Sequence, residues 1–577
     1  MSHSRMHRAL AELVRLVQFA DKRGLSVDDA RGELQARKEA AFTRRQALGG
    51  LAALGAAAGV SFALPARARP VRGQPRIAII GAGLAGLACA ERLTRQGLTA
   101  RVFEAHPTRL GGRCYSDRVT FPGQVCENGG EMIDTPHKTM LGYAQAFGLL
   151  KEDLEHAPGA TAFHFFGAMH SEDAVIAEYR ELVGRMRPDL QSLSSGGPTF
   201  FSHTAADVVL DNTDLQTYLD TRAGDLPLAN AMLSQAYVAE YGREPSDQST
   251  LNFLLLIHLD KRRHLAEFGQ FSDERYHLIG GNDQIIHALA DHVTSRGCSI
   301  TQNAQVGAIT RNASGEYSLT IGGSTIGPFD TVVTTVPFSV MRGFSGLDAP
   351  SLGLSADKLR AIRGLGYGDN VKTAVHFDRR VWADQGFNGL AYADLANVQN
   401  TWETNYTSAV PGGGGILTDY AGGDRGAKLQ ANPPQTSGCG VCHNGATTNS
   451  AMNDVGFRYI NDQMEAFVAD LDRIYPGAAT AVTRRADPRW ASPGPLPIVG
   501  QRAHWTRQRY SRGSYTSYLP GQFCGIAGLE GQAAGALKFA GEHTDSFYDW
   551  QGFMEGGCNS GIRAAEEILG DIKTGRL

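Results

Sequence analysis

The run Arg76-Ile77-Ala78-Ile79-Ile80 passes directly into Gly81-Ala82-Gly83-Leu84-Ala85-Gly86, and this junction limits the possible folds more than any other feature of the chain. A β-branched run of this kind reads as a buried parallel strand. Leu87 to Gln96 then has helical composition, Gly97 can close the helix, and a second strand over Thr99 to Phe103 ends at Glu104. Strand, glycine turn, helix and a strand ending on a carboxylate form the setting in which GxGxxG binds a dinucleotide. Gly81 would make the tight turn, with Ala85 in the same loop. Gly83 would let a pyrophosphate approach the backbone, and Gly86 would let helix and strand pack closely. The helix N-terminus offers amide donors to the phosphates, and Glu104 would accept hydrogen bonds from ribose hydroxyls.

The rest of the chain is compatible with that start. Its 577 residues are 42% hydrophobic and 20% charged, which excludes a wholly disordered chain and allows several structural units. No uninterrupted run of 18 strongly apolar residues occurs, so no membrane span is expected in the mature chain. The first 68 residues carry a net charge of +5, which leaves −9 on the remainder. An acidic body argues against a nucleic-acid partner, because phosphate binding needs basic stripes. Eight cysteines are too few for a disulfide-built scaffold of this length.

Within those first 68 residues, Thr43-Arg44-Arg45-Gln46 precedes an Ala/Gly/Leu-rich run that ends in Pro65-Ala66-Arg67-Ala68. Paired arginines, a weakly apolar core and a small-x-small end resemble a twin-arginine export signal. This implies a periplasmic or secreted protein whose fold begins near Arg69. An ordinary helix packed on the body is the alternative.

Further motifs follow the glycine turn. Leu110-Gly111-Gly112-Arg113 lets Arg113 reach back to a pyrophosphate, and Glu127-Asn128-Gly129-Gly130-Glu131 fits a loop passing close to a cofactor ring. Later come Gly280-Gly281-Asn282-Asp283-Gln284, the strand Thr331 to Pro337, and Phe539-Ala540-Gly541-Glu542-His543-Thr544. The last leads to Trp550-Gln551-Gly552-Phe553-Met554-Glu555-Gly556-Gly557. From Pro75 to Ile568 these motifs resemble the flavin amine oxidases, the family of monoamine, polyamine and L-amino acid oxidases. The resemblance implies FAD held by Gly81, Gly83, Ala85, Gly86, Glu104, Gly112, Arg113, Gly130, Glu131, Val306, Gly541, Glu542, Gly552 and Phe553. It also implies an α/β fold, with a Rossmann-like FAD domain assembled from residues 69–150, 276–340 and 501–577. A substrate and helical part would occupy 151–275, and a mixed-sheet substrate domain 341–500.

The reactive residues follow in the same way. Lys372 lies among Val371, Ala374 and Val375, so it is either an exposed edge-strand lysine or a buried one with a partner, because burying an unpaired charge is expensive. The resemblance implies the second, with Trp382 ten residues on and Lys372 orienting a water for imine hydrolysis or flavin reoxidation. Ser514 occupies the place of the cysteine that links flavin covalently in monoamine oxidases, so FAD is expected to be non-covalent. Tyr515 and Phe553 match the two walls of an aromatic cage, and Trp550 would frame the same pocket. Facing π-faces favour an amine nitrogen and exclude water.

The expected reaction is oxidative deamination, most favourably of L-α-amino acids, with O2 as acceptor and H2O2, ammonia and a 2-oxo acid as products. Ile133 stands where L-amino acid oxidases carry a carboxylate-binding arginine, so another arginine would be needed. Monoamine or polyamine oxidation, a cytochrome-linked amine dehydrogenase, a flavin desaturase and a non-catalytic FAD-binding interaction protein stay open, as does a homodimer. Cys439-Gly440-Val441-Cys442-His443 has the CxxCH pattern of haem attachment. It falls in a Gly/Pro/Ser/Asn-rich stretch read as a loop, where neither haem nor zinc is expected; no metal is expected elsewhere.

Overall fold

Ile77–Ile80 is buried at every position, as a strand covered on both faces must be. It lies at the centre of a five-stranded, all-parallel sheet in the order Leu537–Phe539, Thr331–Thr334, Ile77–Ile80, Ala100–Phe103 and Ser299–Thr301. The computed structural model describes residues 73–121, 123–154, 159–257, 274–404, 414–429, 441–444, 454–486, 495–546 and 549–577. The export-signal segment and Cys439 lie outside them.

Three stretches of chain far apart in sequence therefore build one sheet. Helix Leu84–Thr94 packs against it, and Gly97 adopts φ +75° just beyond the helix end. Helix Met554–Lys573 lies against Leu84–Thr94. The crossing is close because Gly561 faces the backbone of Ala85: a Cβ there would stand 2.1 Å from the Ala85 carbonyl oxygen. A three-stranded antiparallel sheet, Val306–Arg311, Tyr317–Ile321 and Ser324–Phe329, completes this half.

The other half is an eight-stranded mixed sheet. Its order is Val441–Asn444, Gly500–His504, Val371–Phe377, Gly415–Ala421, Val398–Glu403, Phe387–Leu395, Ala160–Phe165 and Ala168–His170. The residues Val441–Asn444 thus form an edge strand rather than the loop expected for the CxxCH segment. Ala160–Phe165 and Ala168–His170 likewise form a hairpin that joins this sheet, within residues 151–275, the expected substrate and helical part.

The two faces of this sheet differ in use. Val375, Phe377 and Leu417 pack with Ile460, Met464, Phe467, Val468 and Leu471, the apolar stripe of helix Asp454–Ile474. On the opposite face, Lys372 is paired directly with Tyr420, and Trp402 with Thr418, two residues from Tyr420. The period of two along a strand places all three side chains on one face. Helices Glu172–Ser192, Ala205–Asn212, Leu215–Ala223, Pro227–Tyr241 and Thr250–Ile257 form the helical part.

Candidate active site

A cavity opens at the C-terminal ends of the parallel strands. Gly81, Gly83, Leu84, Ala85, Glu104, Gly112, Arg113, Val306, Gly541, Glu542, Phe553 and Met554 are on its wall. The glycine turn has the predicted geometry. Gly81 takes φ +105°, and a Cβ there would meet the Thr335 hydroxyl at 2.3 Å. A Cβ on Gly86, which does not line the cavity, would lie 2.0 Å from the Gly81 carbonyl oxygen, so helix and turn touch only because it is absent. A Cβ on Gly83 would find no protein atom nearer than 3.8 Å. Its missing side chain keeps the cavity wall flat rather than relieving a protein contact.

Two helices, Leu84–Thr94 and Met554–Lys573, start on this wall, and their first turns contribute Leu84, Ala85, Met554 and Gly557. Free amides and the positive dipole ends therefore face the cavity, an arrangement suited to phosphate.

At one end Glu104 accepts hydrogen bonds from the amides of Ala82 (2.8 Å) and His106 (2.7 Å). Burial nevertheless raises its carboxyl above the ordinary value. His106 accepts the amide protons of Thr108 and Arg109 at Nδ1, which puts its own proton on Nε2. Burial and the neighbouring Arg109 push the imidazole down to about 4, so it is neutral at pH 7. Its Nε2 and the Nε of Arg109 are buried without a protein partner, and both residues line the cavity. Orphaned buried donors of this sort need an acceptor. A carboxylate with two such donors beside two helix N-termini fits the ribose and pyrophosphate of FAD. His106 and Arg109 were missed in the sequence; their spacing after Glu104 was the available signal.

Further along, Arg113 donates to Glu542 Oε1 (2.8 Å) and to the Ser514 carbonyl (2.7 Å). The other Glu542 oxygen accepts from the Thr516 hydroxyl and the Gly552 amide, each at 3.0 Å. Burial pushes the Glu542 carboxyl up, but the charge and hydrogen bond of Arg113, with neighbouring His543, outweigh it and hold it below the ordinary value. The Gly-Gly-Arg, Ala-Gly-Glu and Trp-Gln-Gly-Phe motifs thus meet at one charge pair. Ser514 is fully buried, and its hydroxyl donates to Asn370 Oδ1 at 2.6 Å.

Phe553 reaches the cavity wall. Its ring stands edge-on to Trp550 (5.6 Å) and His137 (5.2 Å), and His137 lies 4.5 Å from Trp550. Trp550 therefore supports Phe553, together with a buried histidine that carried no sequence signal. Tyr515 is not on the cavity wall. It is buried, with its hydroxyl donating to the Glu240 carbonyl and accepting from the Tyr420 hydroxyl at 3.4 Å.

Lys372 is buried and paired. Its ammonium donates to Glu131 Oε2 (2.6 Å) and to the carbonyls of Gly129 (2.9 Å) and Glu127 (3.4 Å). It also stands 5.4 Å from the Trp402 ring and 6.0 Å from Tyr420, while Trp402 and Tyr420 meet at 5.2 Å. Lys372, Glu131, Trp402, Tyr420 and Tyr515 thus form one cluster. The link to the cavity is Gly130: a Cβ on it would overlap Met554 Sδ at 2.5 Å, and Met554 is on the wall. Trp382 lies elsewhere and donates to Glu403 at 2.9 Å. Among the described residues no helix is long and apolar enough to cross a membrane, and no cluster of His, Cys, Asp and Glu suits a metal ion.

Over 522 residues the chain is 25% identical to the flavin-dependent L-tryptophan oxidase of Lentzea aerocolonigenes, covering 86% of this chain and 98% of that enzyme. Its fold resembles that of cyclohexylamine oxidase from Brevibacterium oxydans IH-35A, with a TM-score of 0.67 and 19% identity over 87% of this chain and 100% of that one. It also resembles putrescine oxidase bound to putrescine, with a TM-score of 0.66 and 18% identity over 86% and 99% of the two chains. The family model for flavin-containing amine oxidoreductases matches residues 84–442 and 464–569; the chain belongs to that family of FAD-dependent enzymes.

Proposed function

We propose that the protein deaminates primary amines oxidatively and that L-α-amino acids are its substrates. The observation that carries the amine chemistry is the buried Lys372–Glu131 pair set against Trp402 and Tyr420, one residue from the cavity contact of Gly130. Bound FAD supplies the two-electron acceptor for hydrogen removed from the carbon that bears nitrogen. The chain's own residues bind and orient. Two helix N-termini and Arg113 hold the cofactor, and Glu104 with His106 and Arg109 fixes its adenosine end. Phe553, braced by Trp550 and His137, bounds the cavity, while the aromatic cluster around Lys372 excludes water from the reacting carbon. Ser514, turned to Asn370, leaves FAD non-covalent. Overall, amine, O2 and water give a carbonyl product, ammonia and H2O2.

The amino acid reading is supported by the kinship with the tryptophan oxidase along nearly its whole length. A second reading, an amine without a carboxylate, is favoured by one observation: the cation held against these rings is already neutralised by Glu131. The test is flavin bleaching and peroxide release with matched amino acids and their decarboxylated analogues. Bleaching by the amino acids alone supports the first reading; bleaching by the amines alone selects the second; no bleaching by either overturns amine oxidation. Flavin left in the pellet after acid precipitation would overturn the non-covalent assignment. We also propose export by the twin-arginine route, to be tested by whether replacing Arg44 and Arg45 with lysine keeps the protein out of the periplasm.

A further inference from the structure

An ammonium group has three N–H donors, and the structure gives Lys372 three protein acceptors: Glu131 Oε2, the Gly129 carbonyl and the Glu127 carbonyl. The other Glu131 oxygen accepts the Trp402 indole N–H at 3.2 Å. The side chains of Lys372 and Glu131 are 7% and 2% exposed. Strand register places the Lys372 backbone opposite Tyr420, but the segment Glu127 to Glu131 decides where the ammonium ends.

That segment is itself fixed. The Asn282 side-chain amide donates to the carbonyls of Gly130 (3.1 Å) and Glu131 (2.7 Å), and the Asn282 backbone amide donates to Glu127 Oε1 (2.7 Å). A Cβ on Gly129 would lie 1.8 Å from the Arg113 carbonyl oxygen. The segment is thus wedged between the cofactor cavity, at Arg113 and Met554, and the substrate-side sheet, at Lys372.

We propose that Glu131 is a positioning residue for the reaction. It holds the Lys372 ammonium against Trp402 and Tyr420, so that lysine and glutamate act as one unit. The proposal rests on the amine-oxidation reading and assigns Glu131 to the lysine rather than to FAD. Breaking a buried pair leaves an uncompensated charge, whereas removing both partners does not.

The test compares Glu131→Gln, Lys372→Met and the double variant as holoenzymes. For the amine that bleaches the wild type best, each single variant is expected to lower kcat at least about ten-fold, with KM moving by less than about three-fold. The double variant should be no slower than Lys372→Met, and Glu131→Asp should recover part of the rate. A double variant slowed by both factors multiplied, or Glu131→Gln at the wild-type rate, overturns the proposal. A second readout needs no substrate. The flavin midpoint potential should fall in Lys372→Met, rise in Glu131→Gln and return near the wild-type value in the double variant. If Glu131→Gln does not fold, comparing Lys372→Met with the double variant still decides, because an independent Glu131 would lower the rate further. Opposed potential shifts in an enzyme that oxidises no amine would leave the pair assignment standing and reject the functional reading. Potentials unmoved by either variant, in an enzyme that does oxidise amines, would reject the pair alone.

Discussion

The cofactor half and the substrate-side half of this molecule solve opposite problems. The parallel-sheet half brings backbone close to a ligand, and its decisive residues are glycines whose absent Cβ atoms leave room. The mixed-sheet half brings side chains together, and its decisive residues are the large and charged groups of the Lys372 cluster. The first kind of site is written in short contiguous motifs. The second depends on which strands are neighbours and in what register.

The sharpest way to break this contrast lies within the glycine turn. Gly86→Ala puts a methyl 2.0 Å from the Gly81 carbonyl oxygen, a backbone atom with little freedom to move. We expect a loss of about 3 kcal/mol or more, since overpacking a rigid contact exceeds the usual range, seen as insoluble or colourless protein. Gly83→Ala meets no protein atom within 3.8 Å, and its φ of −82° suits alanine. It should melt like the wild type without cofactor and yet bind FAD more weakly in titrations of apoprotein. Unchanged FAD affinity in Gly83→Ala would show that the cofactor does not approach that backbone.

The next effect concerns the charge pair where three motifs converge. Replacing Arg113 by methionine strands the buried Glu542 carboxylate and should cost about 3–5 kcal/mol. Glu542 is held below its ordinary value, so its contribution is present above the ordinary carboxyl range. It is lost as pH falls through the lower folded value. Melting temperatures of the wild type and Glu542→Gln measured from neutral to acid pH should therefore converge at low pH. Parallel curves would remove the pair from the stability of the fold.

Much of the cofactor half was legible in the sequence because its signals are local. Gly81, Gly86, Glu104, Gly112, Arg113, Gly541 and Glu542 act within a few residues of a strand end. The substrate-side half was legible only in part. The sequence leaves Lys372 either exposed at a sheet edge or buried with a partner, and it gives Glu131, the partner the structure shows, to the cofactor. Tyr515 was placed opposite Phe553; the structure joins Tyr515 to Tyr420 and gives Phe553 a support of Trp550 and His137. Trp402 and Tyr420 went unnoticed because nothing in their local sequences marks them. Only the register Lys372–Tyr420 and Trp402–Thr418 reveals that they share a face. Trp402→Phe keeps an aromatic ring but removes the N–H to Glu131 and leaves a small void, a loss of about 1–3 kcal/mol. It should change kcat for the amine while leaving FAD affinity as it was; a drop in FAD affinity instead would assign Trp402 to the cofactor half.

The smallest expected effect falls on the border between the halves. The backbone carbonyl of Ser514 accepts from Arg113 of the cofactor half, and its hydroxyl donates to Asn370, at the start of the Lys372 strand. The hydroxyl is therefore a tie between the two regions. Ser514→Ala leaves the carbonyl in place and deprives Asn370 Oδ1 of one donor; the Asn370 amide still donates to the Ala239 carbonyl at 2.6 Å. Only about 1 kcal/mol of stability should be lost, with the flavin spectrum unchanged. Ser514→Cys tests the same geometry from the other side: a thiol directed at Asn370 should leave the flavin extractable by acid. Yellow colour retained in the precipitated Ser514→Cys protein would show that this side chain can turn to the flavin, and that the tie to Asn370 does not fix its direction.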